Sequence, residues 1–289
     1  MTSQQARDLP LDSHLHTDQS PDSNVPIDAY AALALELGIA EIAITDHVDF
    51  DPRDPAYEFA SFEDRERVVR DAAERWAPQG VQIRFGAELT YNTSWDADVR
   101  DHLRRYRYDF TIGSVHDWPG SPYVRPVDRF VTGRTLAEIL GPYFEQVAAA
   151  ARSGLFDSIG HFDVVKRYLW PHVTPADLAA APELLDPALR AIAESGVALE
   201  VNSSGLRHTV KETYPSPATV QRFRELGGER VTAGSDGHRK EWFAYRLDAS
   251  YAAAADAGFD RLAFRRGGER VNVAVPNRFG HAPAVAGAS

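Results

Sequence analysis

Short apolar runs of β character alternate with longer stretches of helical period, and most runs close on a side chain able to do chemistry. The runs at 9–15, 39–45, 81–87, 110–115, 157–160, 197–201 and 230–233 end respectively at His14-Leu15-His16, Asp46-His47, Glu88, His116, His161, Asn202-Ser203-Ser204 and Gly234-Ser235-Asp236-Gly237-His238. Between them lie helix signals. Ser23-Asn24 are expected to cap a helix, with Pro26 in its first turn and Gly38 just past its end. Ser61-Phe62-Glu63-Asp64 opens a charged helix that stops near Pro78 and Gly80. Thr135 and Glu138 form a capping box for a helix reaching Ser153-Gly154, with a break expected at Gly141-Pro142. Further helical patterns cover 98–106, 183–194 and 248–257, and two apolar stretches from 261 to 275 finish the pattern.

Strand followed by helix, about seven times over, predicts a parallel sheet. A doubly wound sheet gathers its site at one switch point, whereas a barrel collects residues from the C-terminal ends of many strands. Nearly every strand end here carries a candidate, which favours a single-domain α/β barrel over residues 1–276. Residues 277–289 read as a loose tail.

Composition narrows the function. The chain has 289 residues, 44% hydrophobic and 25% charged, enough for a sizeable core. Its formal net charge of -11, without a long Lys/Arg run, argues against nucleic acid or an anionic membrane as partner. The first residues lack the apolar core of a signal peptide, and no apolar run is long enough for a membrane span, so a cytoplasmic location is expected. The absence of cysteine excludes disulfides, thiolate metal sites and a cysteine nucleophile. Any metal site must therefore be built from histidine and carboxylate.

The strand ends supply that set: His14, His16, His47, Glu88, His116, His161, Asp236 and His238, with Asp22 in a loop six residues after His16. Nitrogen and oxygen donors without sulfur suit zinc, manganese or iron. Residues i and i+2 of a strand share a face, so His14 with His16, and Asp236 with His238, can act in pairs. Each residue alone has a plainer reading, such as a core histidine, a helix-capping Asp or a turn at Ser20-Pro21-Asp22-Ser23. Glu88 is harder to explain that way, because a buried carboxylate without a cation is costly. Placement at most of seven strand ends together makes the metal reading the better one. His102, in the charged stretch 98–102, reads as solvated, His172 as a loop residue, and His281 as part of the tail. Asp49-Phe50-Asp51 superficially resembles an aspartyl-phosphatase nucleophile pair, but Pro52-Arg53 breaks that pattern. No P-loop or GxSxG elbow occurs.

The segments HLHTDQSPDS, ITDH, GAELTY, GSVHDW, GHFD, EVNSSGLR and GSDGH follow one another in an order that resembles the PHP (polymerase and histidinol phosphatase) family. EVNSSGLR and GHFD, with AGFDRLAF near the end, are similar to the stand-alone histidinol-phosphate phosphatase branch. The resemblance implies a distorted (β/α)7, TIM-like barrel, in agreement with the seven strand ends. It further implies a trinuclear centre of two to three divalent ions. His14, His16, Glu88 and Asp236 would hold the first; a bridging Glu88 with His116 and His161 the second; Asp22, His47 and His238 the third. Many relatives carry His where Asp22 stands.

The implied reaction is hydrolysis of a phosphate monoester, L-histidinol phosphate, by a hydroxide that bridges two ions. Arg207 is expected to bind phosphate oxygens, with Lys166 and Arg167 as a second basic pair of which either can point inward. Asp236 or His208 could pass a proton to the leaving oxygen. Other readings keep the chemistry but change the substrate to another small phosphomonoester or a nucleotide phosphodiester, or make the chain a nuclease or a non-catalytic metal-binding module. Specificity is expected to reside in the loops at 51–62 and 118–131. No sequence feature fixes the oligomeric state.

Overall fold

Seven strand ends can converge only if the strands lie parallel and the sheet curves back on itself, and the chain does both. The structure is a computed structural model that describes residues 7–118 and 127–279. The first half alternates β1 (Leu11–Leu15), α1 (Ile27–Leu37), β2 (Glu41–Ile44), a two-residue β3 (His47–Val48), α2 (Phe62–Trp76), β4 (Gln82–Thr90), α3 (Asp96–Arg105) and β5 (Phe110–Ser114). After a short α4 (Val127–Val131) come α5 (Leu136–Ser153), β6 (Ser158–Ile159), α6 (Val165–Tyr168), α7 (Pro175–Ala180), α8 (Pro182–Ser195) and β7 (Ala198–Asn202). The barrel ends with α9 (Pro217–Glu225), β8 (Val231–Gly234) and α10 (Leu247–Asp256), and an antiparallel hairpin of β9 (Arg261–Arg266) and β10 (Glu269–Ala274) follows.

The sheet runs β1-β2-β4-β5-β6-β7-β8, every pair parallel, with β3 beside the C-terminal half of β4. Between β8 and β1 the barrel is nearly closed by side chains as much as by backbone. The Asp12 carboxylate accepts from Ser235 N at 2.9 Å and Ser235 Oγ at 2.5 Å, and Ser13 Oγ donates to Ala233 O at 2.9 Å. Beyond them, Asp236 N donates to His14 O and His16 N to Gly237 O. Gly234 permits this approach: a Cβ there would lie 2.4 Å from the His14 Cβ and 2.6 Å from a Glu200 oxygen. The strands are buried along nearly their whole length, as expected of a parallel sheet covered on both faces.

Several helix boundaries differ from expectation for local reasons. Ser61 caps α2 and the Thr135–Glu138 box caps α5, each cap being worth about 1 kcal/mol. The α1 cap, however, is Pro26 with no side-chain bond, because the Ser23 hydroxyl donates to His16 O instead. Gly141-Pro142 does not break α5, which runs on with Pro142 inside it. Pro142 is the seventh residue of the helix, so it forgoes the bond to the Glu138 carbonyl without ending the helix. In the segment read as a loose tail, Phe279 lies 5.8 Å from the ring of Tyr251, while 280–289, with His281, lies outside the described residues. So does most of the loop expected at 118–131. No helix among the described residues is long and apolar enough to cross a membrane.

Candidate metal centre

At the C-terminal mouth of the barrel the strands bring nine nitrogen and oxygen donors together. β1 contributes His14 and His16, both fully buried, with their Nε2 atoms 3.0 Å apart. The two-residue β3 sets His47 in register with Glu88 on β4. His116 and His161 stand two residues beyond the ends of β5 and β6, with their Nε2 atoms 3.4 Å apart. Beyond β8, Asp236 takes a left-handed backbone conformation, φ 54°, that a short polar residue tolerates better than most. That turn points its carboxylate at His14 and His16, 3.8 and 3.5 Å away. Asp22 and His238 meet at 3.0 Å, with His47 Nε2 3.5 Å from the same Asp22 oxygen.

Glu88 organises the set. One carboxylate oxygen faces His161 at 2.7 Å and His116 at 3.3 Å. The other faces His47 at 2.9 Å, His16 at 3.4 Å and His14 at 3.5 Å. A single carboxylate thus presents one oxygen to each of two histidine groups, the arrangement a bridging ligand needs. Among the described residues three groupings fit an ion: His14, His16 and Glu88; Glu88, His116 and His161; and His16, His47 and His238. The third differs from expectation in including His16, whose ring lies 4.0 Å from that of His238 and 4.2 Å from that of His47. Asp22 closes this group from the more exposed rim.

Outer partners fix which ring nitrogen faces inward. His14 Nδ1 meets Glu200 at 2.6 Å, His116 Nδ1 meets Thr90 Oγ1 at 3.1 Å, and His238 Nδ1 meets the Asp236 carbonyl at 3.1 Å. A ring that donates from Nδ1 presents an unprotonated Nε2 to the centre. Burial depresses the His14 imidazolium, but Glu200, Glu88 and Asp236 outweigh it and raise the ring well above its ordinary value. For His16, burial and the neighbouring His238 and His47 lower it well below. Burial would raise Glu88, yet His14, His116 and His47 hold it far below the usual carboxylate range. Asp236 is likewise held low, against its own burial, by His14, His238 and Arg207.

Donor chemistry offers a test of fit. Ring nitrogens facing one another at 3.0 to 3.5 Å can share at most one proton per pair, and extra protons would repel. Divalent ions satisfy all those lone pairs and the three carboxylates at once, so the residues present fit such ions. The centre opens into a cavity of about 330 Å³ whose wall includes Asp22, His47, Glu88, His116, His161, Asp236 and His238, along with Asp49, Asp54, Arg167 and Tyr168.

Residues 12–204 match the PHP domain. The chain belongs to the PHP domain family. Among curated relatives of this PHP protein, a "probable histidinol-phosphatase" of Deinococcus radiodurans is 31% identical over 88% of the chain and 96% of the relative. The histidinol-phosphatase of Lactococcus lactis is 26% identical, covering 88% of the chain and 93% of the relative. The same fold is found in a crystal structure of histidinol phosphate phosphatase from Lactococcus lactis complexed with zinc, L-histidinol and phosphate, with TM-score 0.75 and 24% identity, covering 91% of this chain and 98% of that one.

The basic residues of this chain are placed unequally. Arg167 lines the cavity. Lys166 does not: it is 0% exposed, and its Nζ binds Asp163 at 2.8 Å, Glu212 at 2.5 Å and Thr213 O at 3.4 Å. A lysine so deep is tolerable only when paired, and of the two basic neighbours it is Arg167 that the structure places at the cavity. Arg207 is not among the residues that line the cavity. Its guanidinium donates to the carbonyls of Ser235, at 2.8 Å, and Asp236, and packs over Trp242, which braces the turn carrying Asp236. His208 is half-buried and outside the cavity wall; burial, with Arg167 and Arg207, lowers it to about 4.

His102 is not solvated as expected. It packs edge-on to Phe50 and bonds Tyr108 Oη at 2.8 Å, and burial, with Arg65 and Arg105, lowers it to about 4. His172 pairs with Asp128 at 2.6 Å. Sequence reading missed Glu200. Its only signal was an acidic residue in the apolar run 197–201, at a position the strand buries completely.

Proposed function

We propose that this PHP domain hydrolyses L-histidinol phosphate to L-histidinol and phosphate, the terminal-phosphate removal of a histidine-biosynthetic enzyme, in the cytoplasm. The observation that carries the reading is the division of Glu88 between two histidine groups beside a third group of His16, His47 and His238 that Asp22 closes. Zinc, manganese or iron held there, as two to three ions, would lower the pKa of water and neutralise charge on the phosphoryl and leaving oxygens. The relatives named histidinol-phosphatase support the substrate.

The chain's own residues then divide the work. Glu88, Asp236 and the six histidines hold and orient the donor set, and Glu200 fixes the His14 tautomer. Arg167, at the wall, suits the phosphate oxygens through its forked N–H groups, and Arg207 steadies the Asp236 turn behind it. Asp49 and Asp54, at the same wall, suit the ammonium and imidazole of the leaving alcohol. Asp236, kept ionised, serves as a ligand and not as the proton donor. His208, neutral near pH 7 and off the wall, is also poorly placed to donate, so the leaving oxygen takes its proton from solvent in the open cavity.

A kinetic panel tests this. The kcat/KM for L-histidinol phosphate should exceed that for p-nitrophenyl phosphate and nucleoside monophosphates by orders of magnitude. Equal values across the panel would defeat the assigned substrate.

A further inference from the structure

A second cavity, of about 610 Å³, lies behind the loop that follows β3 and contains none of the nine donors in its wall. Phe50, Phe62, Trp95, Tyr106 and Tyr108 line it. Their rings are mutually ordered: Phe62 stacks on Tyr106 at 4.4 Å and meets Tyr108 edge-on at 5.3 Å. In the same wall sits Arg65, only 4% exposed, whose Nε has no hydrogen-bond partner among the described residues. The carboxylate acting on it is Asp46, but the Asp46 oxygens already accept from Thr17 N, Thr17 Oγ1 and Ser20 Oγ. A buried guanidinium left short of acceptors costs stability, so its retention beside an aromatic-lined cavity points to an acceptor that arrives from outside.

The rest of the wall defines that acceptor. Asp49, Glu58, Asp98 and Asp101 also line the cavity, four carboxylates against the two guanidiniums of Arg65 and Arg105. Such a balance disfavours a dianionic phosphate. It suits a molecule with one carboxylate for Arg65, a planar ring for the aromatic walls, and an ammonium for the acidic rim. We propose that this cavity is a binding site for a free amino acid with an aromatic or imidazole side chain, its carboxylate on Arg65.

Calorimetric titration of the metal-loaded protein with L-histidine and L-phenylalanine tests the proposal. Glycine, phenethylamine and inorganic phosphate serve as controls lacking the ring, the carboxylate or both. At least one of the two amino acids should bind at millimolar concentration or below, each control roughly tenfold more weakly or not at all, a difference of about 1.4 kcal/mol. Arg65→Met should abolish binding, and so should Ala60→Trp, which fills the cavity while leaving Arg65 in place. If Arg65→Met fails to fold, Ala60→Trp decides. No binding of either amino acid to the wild type, or binding unchanged in the folded variants, would overturn the proposal. The readout is binding and not turnover, so its failure leaves the phosphatase reading untouched.

Discussion

Replacing Glu200 with Gln isolates the control of one ligand's tautomer. Glu200 is fully buried and accepts three hydrogen bonds: from His14 Nδ1 at 2.6 Å on one oxygen, and from His161 N at 2.7 Å and Asn202 Nδ2 at 3.1 Å on the other. Gln keeps the shape but offers one oxygen and one NH2. If its oxygen stays with His161 N and Asn202, the NH2 faces His14 Nδ1. That ring must then accept, and its proton moves to Nε2, which points at His16 Nε2 and the first ion position. If the oxygen turns to His14 instead, two buried donors lose their acceptor, at about 1–3 kcal/mol each. The first arrangement costs a metal ligand and the second costs stability. Partners of metal-bound histidines typically contribute about 10–100-fold in metal affinity or activity. Glu200→Gln should therefore either raise the metal concentration needed for half-maximal activity by that order or lower Tm by a few degrees. Metal content after desalting, metal titration of phosphate release and thermal melts on one preparation read all three. Wild-type metal affinity together with an unchanged Tm would refute the tautomer argument.

Arg167 and Lys166 should separate cleanly. Arg167→Ala should lower kcat/KM for the phosphate ester by about 10–100-fold with Tm unchanged, the loss of one charge-assisted contact. Lys166→Met leaves buried Asp163 unpaired and should destabilise by about 3–5 kcal/mol, seen by denaturant melts, while the KM of the folded fraction is kept. Gly234→Ala forces a methyl between His14 and Glu200 and should cost about 1–3 kcal/mol along with metal affinity; a neutral Tm would contradict the closeness of β8 to β1. His102, at about 4 in the fold against 6.5 for the free side chain, binds fewer protons folded than unfolded. Its contribution is present above pH 6.5 and is lost as pH falls toward 4, so wild type should lose Tm relative to His102→Gln across that interval; parallel curves would contradict the burial.

The fold was legible because a parallel barrel writes its site into strand ends. Each apolar run stops where a His, Glu or Asp must face the mouth, so the positions of Glu88, His116 and His161 follow from where hydrophobicity ends. Nearly closed barrel geometry was not readable in the same way, since Asp12 and Ser235 join β1 to β8 through side chains that resemble ordinary strand residues. Adjacent basic residues posed a different problem. Lys166 and Arg167 look alike in sequence, and only the placement of Asp163 and Glu212 draws the lysine inward and leaves the arginine at the cavity. His102 was misjudged because its neighbours along the chain are charged, whereas its neighbours in space are Phe50, Tyr106 and Tyr108. Glu200 escaped because a residue that acts through another carries no spacing signature of its own.

The most direct test of the central claim measures phosphate release from L-histidinol phosphate and metal content on the same sample, with Glu88→Gln alongside. The expected result is more than one divalent ion per chain, turnover that disappears on chelation and returns with zinc or manganese, and a folded Glu88→Gln variant that is inactive and metal-depleted. Full turnover in chelator, or an unimpaired Glu88→Gln variant, would contradict it.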